Sequence, residues 1–198
     1  MKKVISVLTV IAMMAVIFCG CSKPNAELTE SNVTKTVDVA FSALKNFDTE
    51  DLQTYVNSST LDLIVTYANQ HQQFVDLGKA IFKNLDYQIK DIDLENKTVT
   101  VSVTNKNLRD AAQSFVEKLT SAYTTFQILG KLSNETWLNQ KLDELTSAID
   151  ESKMNDGYID ITLNIEQSGD HLVLSFGDDA EDAVSGGAIT AIKSVFSK

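Results

Sequence analysis

The chain has 198 residues, 43% of them apolar, with 27 acidic against 17 basic side chains and a formal net charge of −10. Acid is spread along its length, which argues against nucleic acid or an anionic membrane surface as a partner. Both cysteines, Cys19 and Cys21, fall near the start, so everything after them has no disulfide, no cysteine nucleophile and no thiolate metal site.

The first segment opens with Lys2 and Lys3 and continues through Val4–Phe18 without a charge. A basic start, a short apolar run and a small residue before a cut are the marks of a secretory signal. The run ends in Phe18-Cys19-Gly20-Cys21, and a cysteine directly after a small residue resembles a bacterial lipoprotein signal. That resemblance implies cleavage after Gly20 and lipidation, palmitate included, at Cys21. Phe18 stands three before the cysteine, where such signals usually carry an aliphatic residue. The run is shorter than the roughly 20 residues a spanning helix needs. A spanning anchor and a plain cleaved signal without lipid are the alternatives. Residues 1–20 are thus expected to be the signal, 21–31 a polar tether, and 32–198 a single α+β domain. The length fits one sizeable core without disulfides. Without Lys2 and Lys3 the net charge is near −12.

Val33, Val37, Ala40, Phe41 and Leu44 recur at helical spacing and predict a helix over about 32–46. Asp48 or Thr49 caps a second short helix, with Leu52, Tyr55 and Val56 facing inward. A third helical stretch spans about 60–83, with a break near Asn69–Gln72. The period then changes to two. Tyr87 and Ile89 alternate in one parity, Ile92 and Leu94 in the other, which predicts a bulge near Lys90 or Asp91. Asn96-Lys97 turns the chain into a strand with Val99, Val101 and Val103 on the core face and Thr98, Thr100 and Ser102 on the other.

The segment about 108–153 carries two helical stripes. Leu108, Ala112, Phe115, Leu119, Tyr123 and Phe126 form the first, and Trp137, Leu138, Leu142, Leu145 and Ile149 the second. Gly130 looks like the stop between them, with a restart at Ser133 or Asn134. Two antiparallel helices are expected, inserted between two β-hairpins and packed on the concave side of the sheet, with an exposed apolar seam as the alternative. Asn155-Asp156-Gly157 turns into a strand through Ile159, Ile161, Leu163 and Ile165; Ser168-Gly169-Asp170 returns it through His171–Phe176. A last helix is expected from Asp178 towards Lys198, weakened at Gly186-Gly187. The expected fold is therefore α+β, with N-terminal helices on a curved antiparallel sheet, a helical hairpin insertion and a C-terminal helix.

This layout resembles a group of small bacterial lipoproteins of unassigned function with the cone-shaped, cystatin-like α+β domain of the nuclear transport factor 2-like fold. Val39–Asp48, Tyr87–Leu94, Val99–Asn105 and Ile159–Asp179 carry the resemblance. Such a fold hosts enzymes, binding modules and assembly parts, so it does not decide function.

The motifs for chemistry are sparse. His71 and His171 have no ligand-spaced partner, no Gly-x-Ser-x-Gly elbow occurs, and Gly186-Gly187 is followed by no lysine-serine pair. Asp150 to Asp156 fails the oxygen-donor spacing of a calcium loop. Asp178, Asp179, Glu181 and Asp182 fit a helix start, where the dipole favours acid. Asp86, Asp93 and Asp160 alternate onto a wet face. No catalytic residue, metal or cofactor is therefore expected, and the ligand-binding residues stay unassigned. The expected function is a lipid-anchored, extracytoplasmic binding module for a protein or an apolar small molecule. The alternative is a small-molecule enzyme using a cone cavity and a carboxylate base.

Overall fold

The computed structural model describes residues 26–196. Cys21, the signal 1–20 and residues 22–25 of the tether lie outside the described residues. Helix α1 (Glu30–Asn46) starts where Thr29 accepts the Asn32 amide and stops where Phe47 takes a left-handed backbone at φ 50°. Its predicted stripe is buried from Val33 to Leu44. The tether is shorter than expected: the Ala26 carbonyl accepts Gln167 Nε2 at 2.6 Å, and the Glu27 carbonyl accepts Asn32 Nδ2 at 2.9 Å. Asp48 caps α2 (Thr49–Tyr55) by accepting the Glu50 and Asp51 amides. The two-residue strand β1 (Val56–Asn57) follows at once, and Ser58 caps α3 (Ser59–Ala68). The chain breaks at Asn69–His71 and resumes as α4 (Gln72–Phe82).

Strands β2 (Asp86–Asp93) and β3 (Thr98–Thr104) form the first hairpin, with a register shift between Ile89 and Asp91, where the change of parity predicted it. Helices α5 (Arg109–Ala122), α6 (Thr125–Lys131) and α7 (Glu135–Glu151) make the insertion. Strands β4 (Ile159–Ser168) and β5 (His171–Ser175) form the second hairpin, and α8 (Asp178–Val184) and α9 (Ala188–Phe196) complete the described chain.

The protein is an α+β fold with an open five-stranded sheet of order β1-β5-β4-β3-β2. The sheet is mixed rather than antiparallel, because β1 leaves α2 alongside β5 and pairs with it in parallel. Val99 sits opposite Leu163 and Val101 opposite Ile161. All four are buried, whereas Thr162, Asn164 and Glu166 on the other face are exposed. Ser102 belongs to that outer face yet is buried, since its small side chain lies under Asp160, whose carboxylate accepts its hydroxyl.

Only α1, α2 and α8 pack extensively on the sheet. Helices α4, α5, α7 and α9 pack on other helices: α4 on α1, α7 on α4 and α5, and α9 on α5. The insertion and the C-terminal helix depart from expectation. The insertion is three helices, not two, because Tyr123 leaves helical geometry and Thr124 with Gln127 forms a capping box that restarts the chain. Gly130 lies in the last turn of α6 and is no stop; Asn134 does cap α7. With the turn at Tyr123, Phe126 is rotated off the stripe and stands 86% exposed. The insertion packs on α4 and α9 rather than on the sheet. The C-terminal helix is two helices, split at Gly186 and Gly187, whose φ values are +59° and +88°. A side chain at Gly186 would collide with the Lys106 carbonyl, so the split also lets the 105–109 segment pass close by.

Asn105, fully buried, ties three elements together. Its amide donates to the Ile81 carbonyl at 2.9 Å and the Val184 carbonyl at 2.8 Å, and its oxygen accepts the Lys106 amide at 2.8 Å. Replacing it by Leu orphans these groups, each at about 1–3 kcal/mol, and urea titration should show a lowered midpoint. Val101→Asp places an unpaired charge among buried apolar side chains and should cost several kcal/mol, on the order of 3 or more. A thermal melt unchanged by that substitution would contradict the face assignment of β3.

Candidate functional site: an apolar cavity between the outer helices

Helices that do not reach the sheet must bury their stripes against one another. On α3 and α4 these stripes present Ile64, Tyr67, Phe74, Leu77 and Ile81; on α5 and α7 they present Phe115, Leu119, Trp137, Leu138 and Leu142. The two sets meet around a cavity of about 540 Å³. Helix α6 adds Ile128 and Leu129, and α9 adds Ile189 and Lys193. The size is that of a small-molecule site.

The cavity has a packing origin. Val116 and Ile128, with Leu119, Tyr123 and Trp137 around them, form a cluster of their own apart from the main core. Tyr123 meets Trp137 edge-on at 5.7 Å, and the Lys131 ammonium lies over both rings, at 5.1 and 5.8 Å from their centres. This corner is braced by aromatic contacts of its own, so it stands without collapsing onto α4. On the opposite wall, Gly78 leaves no side chain between α4 and Phe47, whose ring fills that place.

Polar residues in the wall are few: Ser59, Thr60, Tyr67, Lys141, Lys193 and Trp137, whose Nε1 is buried with no hydrogen-bond partner among the described residues. Among the described residues no carboxylate lines it. Lys193 is held by Asp178 at 2.7 Å and by Glu181 at 2.6 Å. Glu181 is 2% exposed and also accepts the Ser58 hydroxyl. The hydrogen bonds that Lys193 donates to Asp178 and then Glu181 raise its ammonium above its usual range, and the same bond lowers Asp178. Lys141 instead pairs with Glu144 one turn along the same helix, at 2.8 and 2.9 Å, and lowers that exposed carboxyl.

The residues weighed for chemistry stand elsewhere. His71 occupies the N-cap position of α4 without a side-chain cap bond, and His171 sits beside Asp170 at 3.1 Å with Tyr55 edge-on. Asp86 accepts the Tyr158 hydroxyl at 2.6 Å, Asp93 accepts the Asn96 amide at 2.8 Å, and Asp160 accepts Ser102. The acidic group at the start of α8 is taken up by cations: Asp178 and Glu181 by Lys193, and Asp182 by Arg109. Among the described residues no three His, Cys, Asp or Glu side chains are grouped to hold a metal, and no helix is long and apolar enough to cross a membrane. The sequence places Trp137, Phe115 and Leu142 on apolar stripes, and the aromatic residues there are expected mostly as core, with some lining an apolar pocket. Lys141 and Lys193 went unnoticed, and only their position beside those stripes marks them. Comparison with known protein families, curated proteins and solved structures finds no match to this chain.

Lys193 generates a pH prediction. A group with a raised folded pKa stabilises the fold below its ordinary value of 10.5 and loses that contribution as the pH climbs through the folded value. Lys193→Met should lower stability at neutral pH by about 1–3 kcal/mol, because Glu181 stays buried without its cation while solvent screens the rest. The gap between wild type and variant should then close above about pH 10.5, as read from urea midpoints across pH. A constant gap from pH 7 to 11 would contradict this.

Proposed function

We propose that this protein is a lipid-anchored extracytoplasmic lipoprotein whose α+β domain binds an apolar small molecule without transforming it. The cavity between the outer helices is the observation that carries this reading. It offers a volume for a ligand and apolar walls to bury it, and among the described residues the wall carries no carboxylate of the kind the alternative would use. The lipid on Cys21 and the extracytoplasmic address rest on the resemblance of Phe18–Cys21 to a lipoprotein signal. Two or more acyl chains would hold such a domain stably at a bilayer, since each buried methylene contributes about 0.8 kcal/mol. The cone-like sheet of a nuclear transport factor 2-like domain belongs to the same proposal; helices on one face of the sheet support it. The ligand site nevertheless sits among helices rather than in the mouth of a cone, for no strand residue lines it. A protein partner at α6 is a second reading, favoured by the exposure of Phe126.

Two measurements test the proposal. Cys21→Ala should move the protein out of the membrane fraction, and mass spectrometry of the native chain should find acyl groups on Cys21. A neutral naphthylamine dye should brighten on the purified full chain and be displaced by apolar extracts of the cell envelope. Leu142→Phe and Leu145→Phe, each adding volume at the cavity wall, should cut that signal by about tenfold while circular dichroism stays native. Dye binding untouched by both substitutions would overturn the cavity as the site.

A further inference from the structure

We infer that the cavity takes a single-chain anionic amphiphile, an acyl body inside and a carboxylate head on Lys141; this rests on the cavity reading above. Three observations lead there. The first is charge. In a chain of net charge −10, the charged residues in the cavity wall are both lysines. The carboxylate partners of both lysines are not among the wall residues, so a ligand with an apolar body and one negative end could take a partner's place from inside.

The second observation separates the two lysines. Lys193 is neutralised twice, by Asp178 and by the buried Glu181, which is itself fixed by Ser58. Displacing Glu181 would leave a buried carboxylate without its cation, at high cost. Among the described residues Lys141 pairs with Glu144, three residues along α7; the lysine side chain is 20% exposed and the carboxylate 45%. A carboxylate so exposed is readily taken back by water, so an incoming carboxylate can exchange with Glu144 at little cost. The head therefore belongs at Lys141.

The third is size and access. A volume of about 540 Å³ lies in the lower half of the range for small-molecule sites, room for one chain rather than two. Leu63 on α3 and Leu129 on α6 line the cavity and are also exposed, so the apolar surface continues from the interior to the outside between these helices. An acyl chain can follow that path without meeting a polar barrier. The occupant is a free amphiphile, and the acyl group proposed for Cys21 is the rival that the test separates from it.

Trp137 makes the test direct, because it is the only tryptophan and it lines the cavity. The full chain is placed in phosphatidylcholine vesicles and titrated with dibromostearic acid, whose bromines quench tryptophan at short range. The methyl ester of the same acid serves as the neutral comparison. Saturable quenching at one acid per chain is expected, with the ester about tenfold weaker, the value of one charge-assisted hydrogen bond. Lys141→Gln should erase that preference and Lys141→Arg should keep it. Glu144→Gln, which removes the competing carboxylate, should strengthen acid binding, a gain that a merely structural Lys141 would not produce.

Equal quenching by acid and ester, unchanged by Lys141→Gln, would overturn the head assignment and leave the cavity reading intact. Binding of the neutral dye without quenching by either brominated amphiphile would overturn the acyl body. Equal quenching from vesicles of brominated phosphatidylcholine alone would give the site to a two-chain lipid. Acid binding that emerges only in Cys21→Ala would give it to the anchor. If neither dye nor amphiphile binds, this inference and the cavity reading fall together.

Discussion

Burial on one face of the sheet is the constraint from which the rest of this structure follows. Val99, Val101, Ile161, Leu163, Leu172 and Leu174 put a continuous apolar surface on one side, while Thr162, Asn164 and Glu166 keep the other side in water. Every helix with an apolar stripe must then be accommodated on the same side. Helices α1, α2 and α8 take up the sheet surface, and α1 alone lays Val33 to Leu44 into the core. The remaining helices have nothing left to cover but each other.

A second layer built that way is held by side chains that also serve the first. Asn105 is the clearest case, because a single amide at the end of β3 ties α4 and α8. Such a buried amide is favourable only when its donors and acceptor are all satisfied, and here they are. Lys193 plays the corresponding part at the other side: it reaches from α9 to two carboxylates of α8, one of them bonded to Ser58 at the cap of α3. These ties hold the inner edge of the outer layer, while the corner of Tyr123, Trp137 and Lys131 holds its outer edge. The space between the two is the cavity. An interior otherwise close-packed leaves such a void only where the surrounding parts are braced independently.

The same organisation bears on function. The polar outer face of the sheet presents hydroxyl and carboxylate groups already engaged with one another, such as Ser102 with Asp160 and Tyr158 with Asp86. The acidic turn at Asp178 is likewise paired off by Arg109 and Lys193. The unfilled space among the described residues is lined mainly by apolar side chains, so a molecule entering it would be held by the exclusion of water.

The sequence by itself determined the local structure. Period-two alternation set the buried face of β3 and β4, the change of parity between Ile89 and Ile92 set the bulge, and Asp48 and Asn134 set helix starts, since each of these depends on neighbours within a few residues. Three things were left to the tertiary structure. The Thr124 capping box overrode a helical stripe that continued in sequence to Phe126, because a satisfied cap and the separate packing of Ile128 outweighed one more apolar side chain. The parallel pairing of β1 came from where α2 ended, and two residues carry no alternation to announce it. The cavity was invisible for a simpler reason: a stripe in sequence shows that a face is apolar, but not whether the facing stripe is close enough to fill the space between them.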